Sequence, residues 1–256
     1  MHANSFMTKT LSLLAGAALA LGAFTAQADE SKILRVGAEP SYAPFEFMDE
    51  TTKELTGFDI ELIDAIAKAE GYTIEVTTMP FDALIPALFT NTIDVALSAM
   101  TITEERLKRV DFSDPYYESG LTILIREADK DKIKSVEDLK GQVICTQIGT
   151  TGSYYAEDIE GATSKTFNSA PESYLELKAG GCVAAINDRP VNDYFLATGQ
   201  SEGIISLPGT LSAENYGIAI RKGNDEVNAL VKSGFDKIKA DGTYDALYTK
   251  WFGAKN

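Results

Sequence analysis

The amino-acid sequence predicts an α/β protein of two lobes, in which helices flank parallel β-sheets. The first observation is that short β-rich apolar runs alternate with helical segments along the chain and are joined by short loops. The second is that this alternation restarts after the stretch DFSDPYY at 111–117, as a second lobe requires. The candidate crossovers between the lobes are the segments near 116–120 and 212–216. No linker rich in Pro, Gly or Ser marks either segment.

In the first half of the chain, apolar periodicity predicts each element in turn. The longest helix has Ile63 and Ile66 on one face, and Gly71 ends it. The strands are short runs of apolar and β-branched residues. The predicted order is strand 33–37, helix 58–70, strand 73–78, helix 82–90, strand 93–98 and a helix that begins near Thr103.

The second half repeats this pattern and ends in helices. An apolar stripe that includes Leu230 and Phe235 predicts a long helix, which Gly242 separates from the closing stretch TYDALYTKWF. The preceding elements are predicted, in order, as strands 121–125 and 142–146, a helix from about 151, helix 171–179, strand 182–186, helix 190–198 and strand 216–220.

The N-terminal segment 1–28 has the features of a secretory signal peptide. Lys9 supplies a positive charge, residues 11–24 form a short apolar run, and AQA at 26–28 fits a cleavage site. The apolar run is too short to span a membrane, and no cysteine follows the cleavage site, so we expect no lipid anchor. Translation starts at Met1 or at Met7. The sequence thus indicates a soluble protein outside the cytoplasm.

Charge and histidine content exclude several classes of function. The net charge of −15 is unfavourable for binding nucleic acid or an anionic membrane. The single histidine, His2, lies in the signal segment, so the mature chain has no catalytic or metal-binding histidine. No glycine-rich phosphate-binding motif is present. We therefore expect no cofactor and no metal.

The two cysteines, Cys145 and Cys182, both fall in predicted strands. In an oxidising compartment a pair of cysteines usually forms a disulfide, and neighbouring strands can bring them within bonding distance. The alternative is two buried thiols. A two-residue metal site is disfavoured because no further ligands cluster near them.

The stretch SAMTITEER at 98–106 allows two interpretations. Thr101 with Glu104 matches a capping box, and Thr103 one turn before Arg106 is an alternative helix start. Neither explains Arg106, because an arginine in the first turn opposes the helix dipole unless an anion compensates it. The functional alternative is that Arg106 binds a carboxylate at the end of a strand, where open α/β sheets bind ligands.

Other polar residues also follow predicted strands. GTTGS at 149–153 is either an anion-binding turn or an ordinary N-cap. Asp188 either caps the next helix or pairs with an ammonium group. Glu39 is either solvated or part of a site, and Tyr42 and Phe81 fit ordinary packing.

Several stretches together closely resemble the polar amino acid-binding proteins of ABC importers, solute-binding protein family 3. They occur in order and read YAPFEF, GFDIELIDAIAKAEG, FDALIPAL, TITEER, VDFSDPYY, DLKGQVI, IGTTGS and DGTYDALYTKWFG. The resemblance implies the type II periplasmic-binding-protein fold, a two-lobed α/β architecture with a hinge of two crossover strands. It places lobe 1 at 29–115 plus 217–256, lobe 2 at 121–212, and the hinge at 116–120 and 212–216.

The resemblance also implies roles for residues that bind the backbone groups of a free amino acid. Arg106 would pair with the α-carboxylate and Asp188 with the α-ammonium. The loop at Ser98, Ala99, Met100 and Thr101 would bind the same end of the ligand, and Thr150 and Thr151 would add donors to the carboxylate. The physical chemistry agrees, because a zwitterion needs one fixed cation and one fixed anion.

Four further residues would recognise the ligand side chain. Tyr42 and Phe81 would enclose it, and Glu39 and Gln147 would contact its tip. Glu39 would repel an acidic side chain, so the predicted ligand is a basic amino acid such as arginine, with glutamine second. The stretch AGGCVAAIND at 179–188 departs from the family's Gly-Arg-x-Asp-Ala pattern and is interpreted as a disulfide variant.

The predicted function is transport without catalysis. The protein would deliver its ligand to an inner-membrane ABC permease and act as a monomer, with no nucleic acid partner. The alternative is a periplasmic enzyme of the same fold, similar to cyclohexadienyl dehydratase, with Glu39 as a candidate general acid.

Overall fold

The structure is a computed structural model that describes residues 32–254. The predicted signal segment 1–28 lies outside the described residues. The strands are β1 (Lys32–Ala38), β2 (Ser41–Tyr42), β3 (Glu46–Met48), β4 (Leu55–Thr56), β5 (Tyr72–Thr78), β6 (Val95–Ala96), β7 (Val110–Phe112), β8 (Tyr117–Ser119), β9 (Leu121–Arg126), β10 (Val143–Gln147), β11 (Thr163–Phe167), β12 (Ala184–Asp188), β13 (Ile204–Ser206), β14 (Glu214–Tyr216) and β15 (Ala219–Arg221).

The helices occupy the positions at which the apolar periodicity placed them. They are α1 (Phe58–Ala69), α2 (Phe81–Phe89), α3 (Glu104–Leu107), α4 (Thr151–Glu157), α5 (Ala170–Ala179), α6 (Arg189–Ala197), α7 (Asp225–Ala240) and α8 (Thr243–Phe252). Within residues 32–254, none of them combines the length and apolar character that a membrane crossing needs.

Two five-stranded sheets form the centres of two lobes, which confirms the predicted α/β architecture. The first has the strand order β5-β1-β6-β15-β7 and contacts α1 and α2. The second has the order β11-β10-β12-β9-β13 and contacts α4, α5 and α6. The first sheet takes β15 from the C-terminal part of the chain, so the chain enters the second lobe and later returns.

The sheets are mixed rather than purely parallel. β1 runs parallel to β5 and β6, and β10 runs parallel to β11 and β12. β15 and β9 run antiparallel to their neighbours. Each of these two strands follows a crossing between the lobes. A strand that enters a sheet without a crossover helix is not required to be parallel.

A two-stranded antiparallel ribbon, formed by β8 and β14, carries both crossings. Its register pairs Tyr216 with Tyr117 and Glu214 with Ser119. The rings of Tyr117 and Tyr216 stack with centroids 5.6 Å apart, and the Phe45 ring contacts both edge-on. The ribbon is therefore packed against aromatic residues of the first lobe.

The predicted strand 216–220 is wrong as a single element. Tyr216 belongs to the ribbon and Ala219 to the first sheet, where it pairs with Ala96 and Phe112. Gly217 and Ile218 separate the two strands, and a Cβ on Gly217 would lie 2.8 Å from the Ile102 side chain. The chain changes partner at this point, so a continuous apolar run spans two strands.

Cys145 and Cys182 form the predicted disulfide, with their Cα atoms 5.9 Å apart. Cys145 lies on β10, which pairs in parallel with β12. Cys182 precedes β12, whose first residue is Ala184 rather than the predicted residue 182. The bond links two adjacent parts of the second lobe.

Candidate ligand-binding site

Most of the predicted site residues meet in one small cavity between the two lobes. Its volume is about 10 Å³, which is close to the volume that one water-sized sphere needs. The lobes are therefore closed on each other at this point. The cavity is lined by Tyr42, Phe81, Ser98, Ala99, Thr101, Arg106, Gln147, Thr150, Thr151 and Asp188.

Two of the predicted residues do not line this cavity. The side chain of Met100 is completely buried in an apolar cluster with Leu84 and Leu88 of α2. Its backbone carbonyl accepts a hydrogen bond from the N–H of Gly217. Glu39 lies beside the cavity, and its backbone N–H donates to Ser98 Oγ at 3.1 Å.

Arg106 is a buried cation, with 7% of its surface exposed. Its guanidinium donates to the carbonyl of Thr101 at 2.8 Å and, across the cleft, to the carbonyl of Gly149 at 3.1 Å. The Phe81 ring lies 5.2 Å from the guanidinium carbon. Burial lowers the pKa of Arg106. Among the described residues its partners are neutral, so the guanidinium can still bind an anion.

The structure decides how the helix with Arg106 begins. Thr103 is the N-cap of α3, and its Oγ1 accepts a hydrogen bond from the N–H of Arg106 at 3.2 Å. The capping box of Thr101 with Glu104 is therefore wrong. Thr101 instead forms an isolated bridge with Tyr216.

Asp188 is a buried acid at the end of β12, with 5% of its surface exposed. It stands at the N-cap position of α6 but makes no side-chain capping bond, so the helix-cap interpretation is wrong. Its Oδ2 accepts a hydrogen bond from the Tyr42 hydroxyl of the other lobe at 2.6 Å. Its Oδ1 has no hydrogen-bond partner among residues 32–254. Burial, and then the negative charge of Glu214, raise the pKa of Asp188 to about 7.

Glu214 is a buried residue of the site that the sequence did not indicate. Its Oε2 accepts hydrogen bonds from Thr101 Oγ1 at 2.7 Å and from Thr151 Oγ1 at 3.0 Å. These threonines belong to different lobes, so Glu214 links the lobes through their hydroxyls. Each hydroxyl has one proton, and its oxygen therefore offers only lone pairs to the cleft. The stretch SAENYG around Glu214 carries no motif that could have revealed it.

Thr150 confirms the predicted N-cap in the GTTGS turn. Its Oγ1 accepts from the N–H of Ser153 at 3.2 Å and donates to the carbonyl of Gln147 at 2.7 Å. The hydroxyls of Thr150 and Thr151 are thus both engaged as donors within the protein. Backbone N–H groups in the first turn of α4, such as that of Thr151, have no carbonyl within the helix.

Glu39 and Gln147 come together from opposite lobes. Glu39 is 5% exposed, and its Oε1 accepts from the Ser41 hydroxyl at 2.6 Å. Gln147 donates through Nε2 to the carbonyl of Asn168 at 3.0 Å. Glu39 Oε2 and Gln147 Oε1 have no donor in the described part of the chain. Burial raises the pKa of Glu39, although the Ser41 hydroxyl and the Gln147 amide oppose this.

Two further acidic residues support the loop that follows β6. Ser98 Oγ donates to Glu46 Oε1 at 2.7 Å, and the N–H of Ala99 donates to Asp59 Oδ2 at 2.8 Å. The sequence stretches YAPFEF and GFDIEL contain these acids, but neither stretch shows where they point. In residues 32–254, no group of three or more His, Cys, Asp or Glu side chains has the geometry of a metal site.

Comparisons with known proteins show which family the chain resembles. The family model "Bacterial extracellular solute-binding proteins, family 3" matches residues 34–254. A "Probable histidine-binding protein" of Neisseria gonorrhoeae is 32% identical over 253 residues, which cover 93% of each chain.

Two solved structures share the fold and a higher sequence identity. One is an ancestral arginine-binding protein bound to arginine, with a TM-score of 0.81 and 44% identity over 86% of this chain and 98% of that one. The other is the ancestral amino acid-binding protein AncCDT-1, described as a precursor of cyclohexadienyl dehydratase. Its TM-score is 0.79, with 41% identity over 86% of this chain and 95% of that one.

Proposed function

This chain belongs to family 3 of the bacterial extracellular solute-binding proteins, and on that premise we propose that it captures one free polar L-amino acid between its lobes and delivers it to an ABC permease. One observation carries the proposal: a buried cation, Arg106, and a buried anion, Asp188, lie in the same closed cleft, and each has binding capacity left over. An α-carboxylate and an α-ammonium complement these two groups.

Ligand capture proceeds by closure of the lobes about the ribbon at 116–120 and 212–216. The lobes are 29–115 plus 217–256 and 121–212, as the sequence predicts. In the closed cleft, Tyr42 contacts Asp188 and Arg106 contacts the Gly149 carbonyl across the gap. A ligand that bonds to both lobes stabilises a closed form in which the lobes stand further apart than here, because the present cavity of about 10 Å³ has no room for an amino acid.

Within the cleft, Arg106 and the Thr151 backbone N–H bind the ligand carboxylate. Asp188 binds the ligand ammonium. The hydroxyl oxygens of Thr101 and Thr151 also accept hydrogen bonds from the ammonium, because both hydroxyls already donate their hydrogen bonds to Glu214. Ser98 and Ala99 border the same end of the ligand. Low exposure of these groups strengthens each charged hydrogen bond relative to water.

The ligand side chain is basic, with arginine as the first choice and glutamine as the second. Among the described residues, neither a buried carboxylate oxygen of Glu39 nor the buried amide oxygen of Gln147 has a hydrogen-bond donor. A guanidinium or ammonium satisfies both oxygens and compensates the charge of Glu39. Tyr42 and Phe81 border the space between the two ends of the cleft. The similarity to arginine- and histidine-binding proteins supports this choice.

The experiment that tests the function is a thermal-shift screen of all common amino acids, followed by calorimetry on Arg106→Ala. A ligand at 100 times its Kd raises the free energy of unfolding by about 2.7 kcal/mol. Arg106→Ala is expected to weaken binding of every amino acid by roughly 100-fold or more, because the carboxylate loses a buried charged partner. Arg109→Ala, at an exposed arginine three residues later, is the control and keeps wild-type affinity. Wild-type affinity in Arg106→Ala would disprove the carboxylate assignment.

A second measurement tests the ligand class. Glu39→Gln is expected to weaken arginine binding by roughly 10-fold or more while glutamine binding changes little, because only a cationic side chain needs the carboxylate. Calorimetric titration of both ligands against both proteins gives the comparison. An unchanged ratio of the two affinities would remove Glu39 from this role.

The second candidate function is a periplasmic enzyme of the same fold, and the likeness to a precursor of cyclohexadienyl dehydratase favours it. Glu39, a buried carboxyl group with a raised pKa, would be the general acid. Asp188 argues against prephenate as a substrate, because this 2-oxo acid has no ammonium for it to bind, whereas arogenate has one. Incubation with prephenate and arogenate is expected to yield no product, and turnover would establish the enzyme instead.

Partners and location follow from the transport role. The protein acts as a periplasmic monomer, exported by its signal segment, and releases its ligand to a permease in the inner membrane. Sedimentation of the exported protein at one monomer mass, with and without ligand, is the expected result.

A further inference from the structure

Two acidic side chains beneath the ligand cleft have no surface exposure at all. Glu46 lies on β3 and Asp59 in the first turn of α1, and both are 0% exposed. Each carboxyl group lies close enough to the other to affect its pKa. Among the described residues, no lysine or arginine forms an ion pair with either. A buried pair of acids without a cation requires an explanation.

Each acid fixes one residue of the loop that borders the cleft. Glu46 Oε1 accepts from Ser98 Oγ at 2.7 Å, and Asp59 Oδ2 accepts from the Ala99 N–H at 2.8 Å. Ala99 has a φ of 45°, a conformation that a residue with a side chain keeps only when its surroundings hold it. Asp59 Oδ2 also accepts from the Tyr116 hydroxyl at 2.7 Å, next to the ribbon. The pair thus holds the loop and the start of the first crossing.

The remaining oxygens of the two acids are Glu46 Oε2 and Asp59 Oδ1. Neither accepts a hydrogen bond from a donor in the described part of the chain. Two adjacent, buried carboxylates cannot both stay ionised at low cost, and one proton between them satisfies both oxygens. Burial and the charge of Asp59 raise the pKa of Glu46 well above its usual range, and burial raises that of Asp59 to about 6.

We propose that Glu46 and Asp59 are positioning residues that share one proton, and that this proton maintains the ligand-binding conformation of Ser98 and Ala99. Glu46 donates the proton from its carboxyl group to the Asp59 carboxylate. Asp59 thereby stays an acceptor for the Ala99 N–H and the Tyr116 hydroxyl. Loss of the proton places two like charges in contact and separates the two supports of the loop. The effect on affinity rests on the proposed function, whereas the shared proton itself does not.

Two other titratable groups face the pair. Glu39 acts on Glu46 through its charge and on Ser98 through its N–H, and Tyr116 contacts Asp59. Burial raises the pKa of Tyr116 well above its ordinary value, so its hydroxyl remains a donor. A pH profile alone would therefore mix Glu39 with the pair. Amide variants separate them, because an amide N–H replaces the shared proton and cannot be titrated.

The test is a cycle of Glu46→Gln, Asp59→Asn and the double variant. Either single amide supplies an N–H to the other carboxylate and keeps an oxygen for the loop, so each is expected to bind within about threefold of wild type. In the double variant, two NH2 groups face each other without an acceptor. Its affinity is expected to fall at least roughly tenfold below the product of the single effects. Glu50→Gln with Asp131→Asn, two exposed acids, is the control pair and is additive.

The same cycle is measured by chemical denaturation without ligand, so the shared proton is tested even if no amino acid binds. A non-additive loss of stability supports the shared proton, and additivity in both measurements overturns it. A Glu46→Gln variant that loses as much affinity and stability as the double variant also overturns the proposal, because the carboxylate charge would then be required.

A pH profile of ligand affinity gives a further test. As the pH is raised into the alkaline range, wild-type affinity is expected to fall at a lower pH than the affinity of Glu46→Gln. Identical profiles would contradict the proposal, since deprotonation of the ligand ammonium affects both proteins equally.

Discussion

At the scale of single residues, the cleft contains charged groups whose hydrogen-bonding capacity is only partly satisfied by the protein. Arg106 bonds only to carbonyl oxygens and a ring, and Asp188 has one oxygen without a donor among residues 32–254. Such groups are costly to bury, and a structure retains them where a ligand completes them. The same reasoning connects ligand binding to pH through Asp188.

The pKa of Asp188 is raised to about 7, mainly by burial. Below that pH its carboxyl group holds a proton, which an arriving ammonium must displace. Affinity is therefore expected to rise with pH up to about 7 and then to level off, with proton release on binding near neutrality. Calorimetry in two buffers of different ionisation enthalpy measures the released protons. Equal enthalpies in both buffers at pH 7 would contradict this prediction.

The same raised pKa has a consequence for stability without ligand. An unfolded aspartate ionises near pH 4, so the folded carboxyl group binds more protons than the unfolded one between about pH 4 and pH 7. The protonated Asp188 carboxyl group therefore contributes to the free energy of unfolding. Its contribution is complete below the unfolded pKa and is lost as the pH rises through about 7.

At the scale of secondary-structure elements, the β8–β14 ribbon both connects the lobes and reaches the cleft. Glu214 is the first residue of β14, and its side chain joins Thr101 of the first lobe to Thr151 of the second. One carboxylate thus adds a side-chain link between the lobes and sets the direction of two cleft hydroxyls. Its amide and alanine variants are expected to behave differently.

Glu214→Gln keeps one oxygen for both threonine hydroxyls and is expected to stay within a few-fold of wild-type affinity. Glu214→Ala removes the acceptor and leaves the hydroxyls free to reorient, so ligand dissociation is expected to accelerate roughly tenfold. Stopped-flow displacement of bound ligand provides the rates. Equal rates in the two variants would show that Glu214 does not link the lobes.

Glu214→Gln is also expected to lower the pH at which ligand binding releases a proton from Asp188, because the charge of Glu214 raises the pKa of Asp188.

At the scale of the whole molecule, the second lobe has a covalent link that the first lobe lacks within the described residues. The disulfide joins residues 37 positions apart. In the chain-entropy model, a loop of this length contributes about 4 kcal/mol as an upper guide. Cys145→Ala with Cys182→Ala is therefore expected to lower the free energy of unfolding by about 2–4 kcal/mol, measured by urea denaturation. Because neither cysteine lines the cleft, ligand affinity is expected to be retained; a simultaneous loss of affinity would show that the bond also shapes the site.

The sequence alone was sufficient to predict the α/β class, the order of the helices and the cysteine pair, but not β7, β11 and β13 of the two central sheets. Helical and strand periodicity are local properties, and elements such as 58–70 and 142–146 follow from them directly. Strand ends were less predictable. The run 216–220 satisfies strand periodicity, yet it divides between the ribbon and the first sheet because its partners differ.

Local sequence determined which groups enter the cleft, and only the tertiary structure decided what they do there. Arg106, Asp188 and the GTTGS turn could be singled out because each follows a strand. Glu214, Glu46 and Asp59 lie far along the chain from the residues they contact, so no local pattern reveals them. Each hydroxyl has one proton, and its direction depends on which distant carboxylate folding brings near. The tertiary contacts therefore decided that the hydroxyl oxygens of Thr101 and Thr151 offer only lone pairs to the cleft and that Asp188 faces the cleft instead of capping its helix.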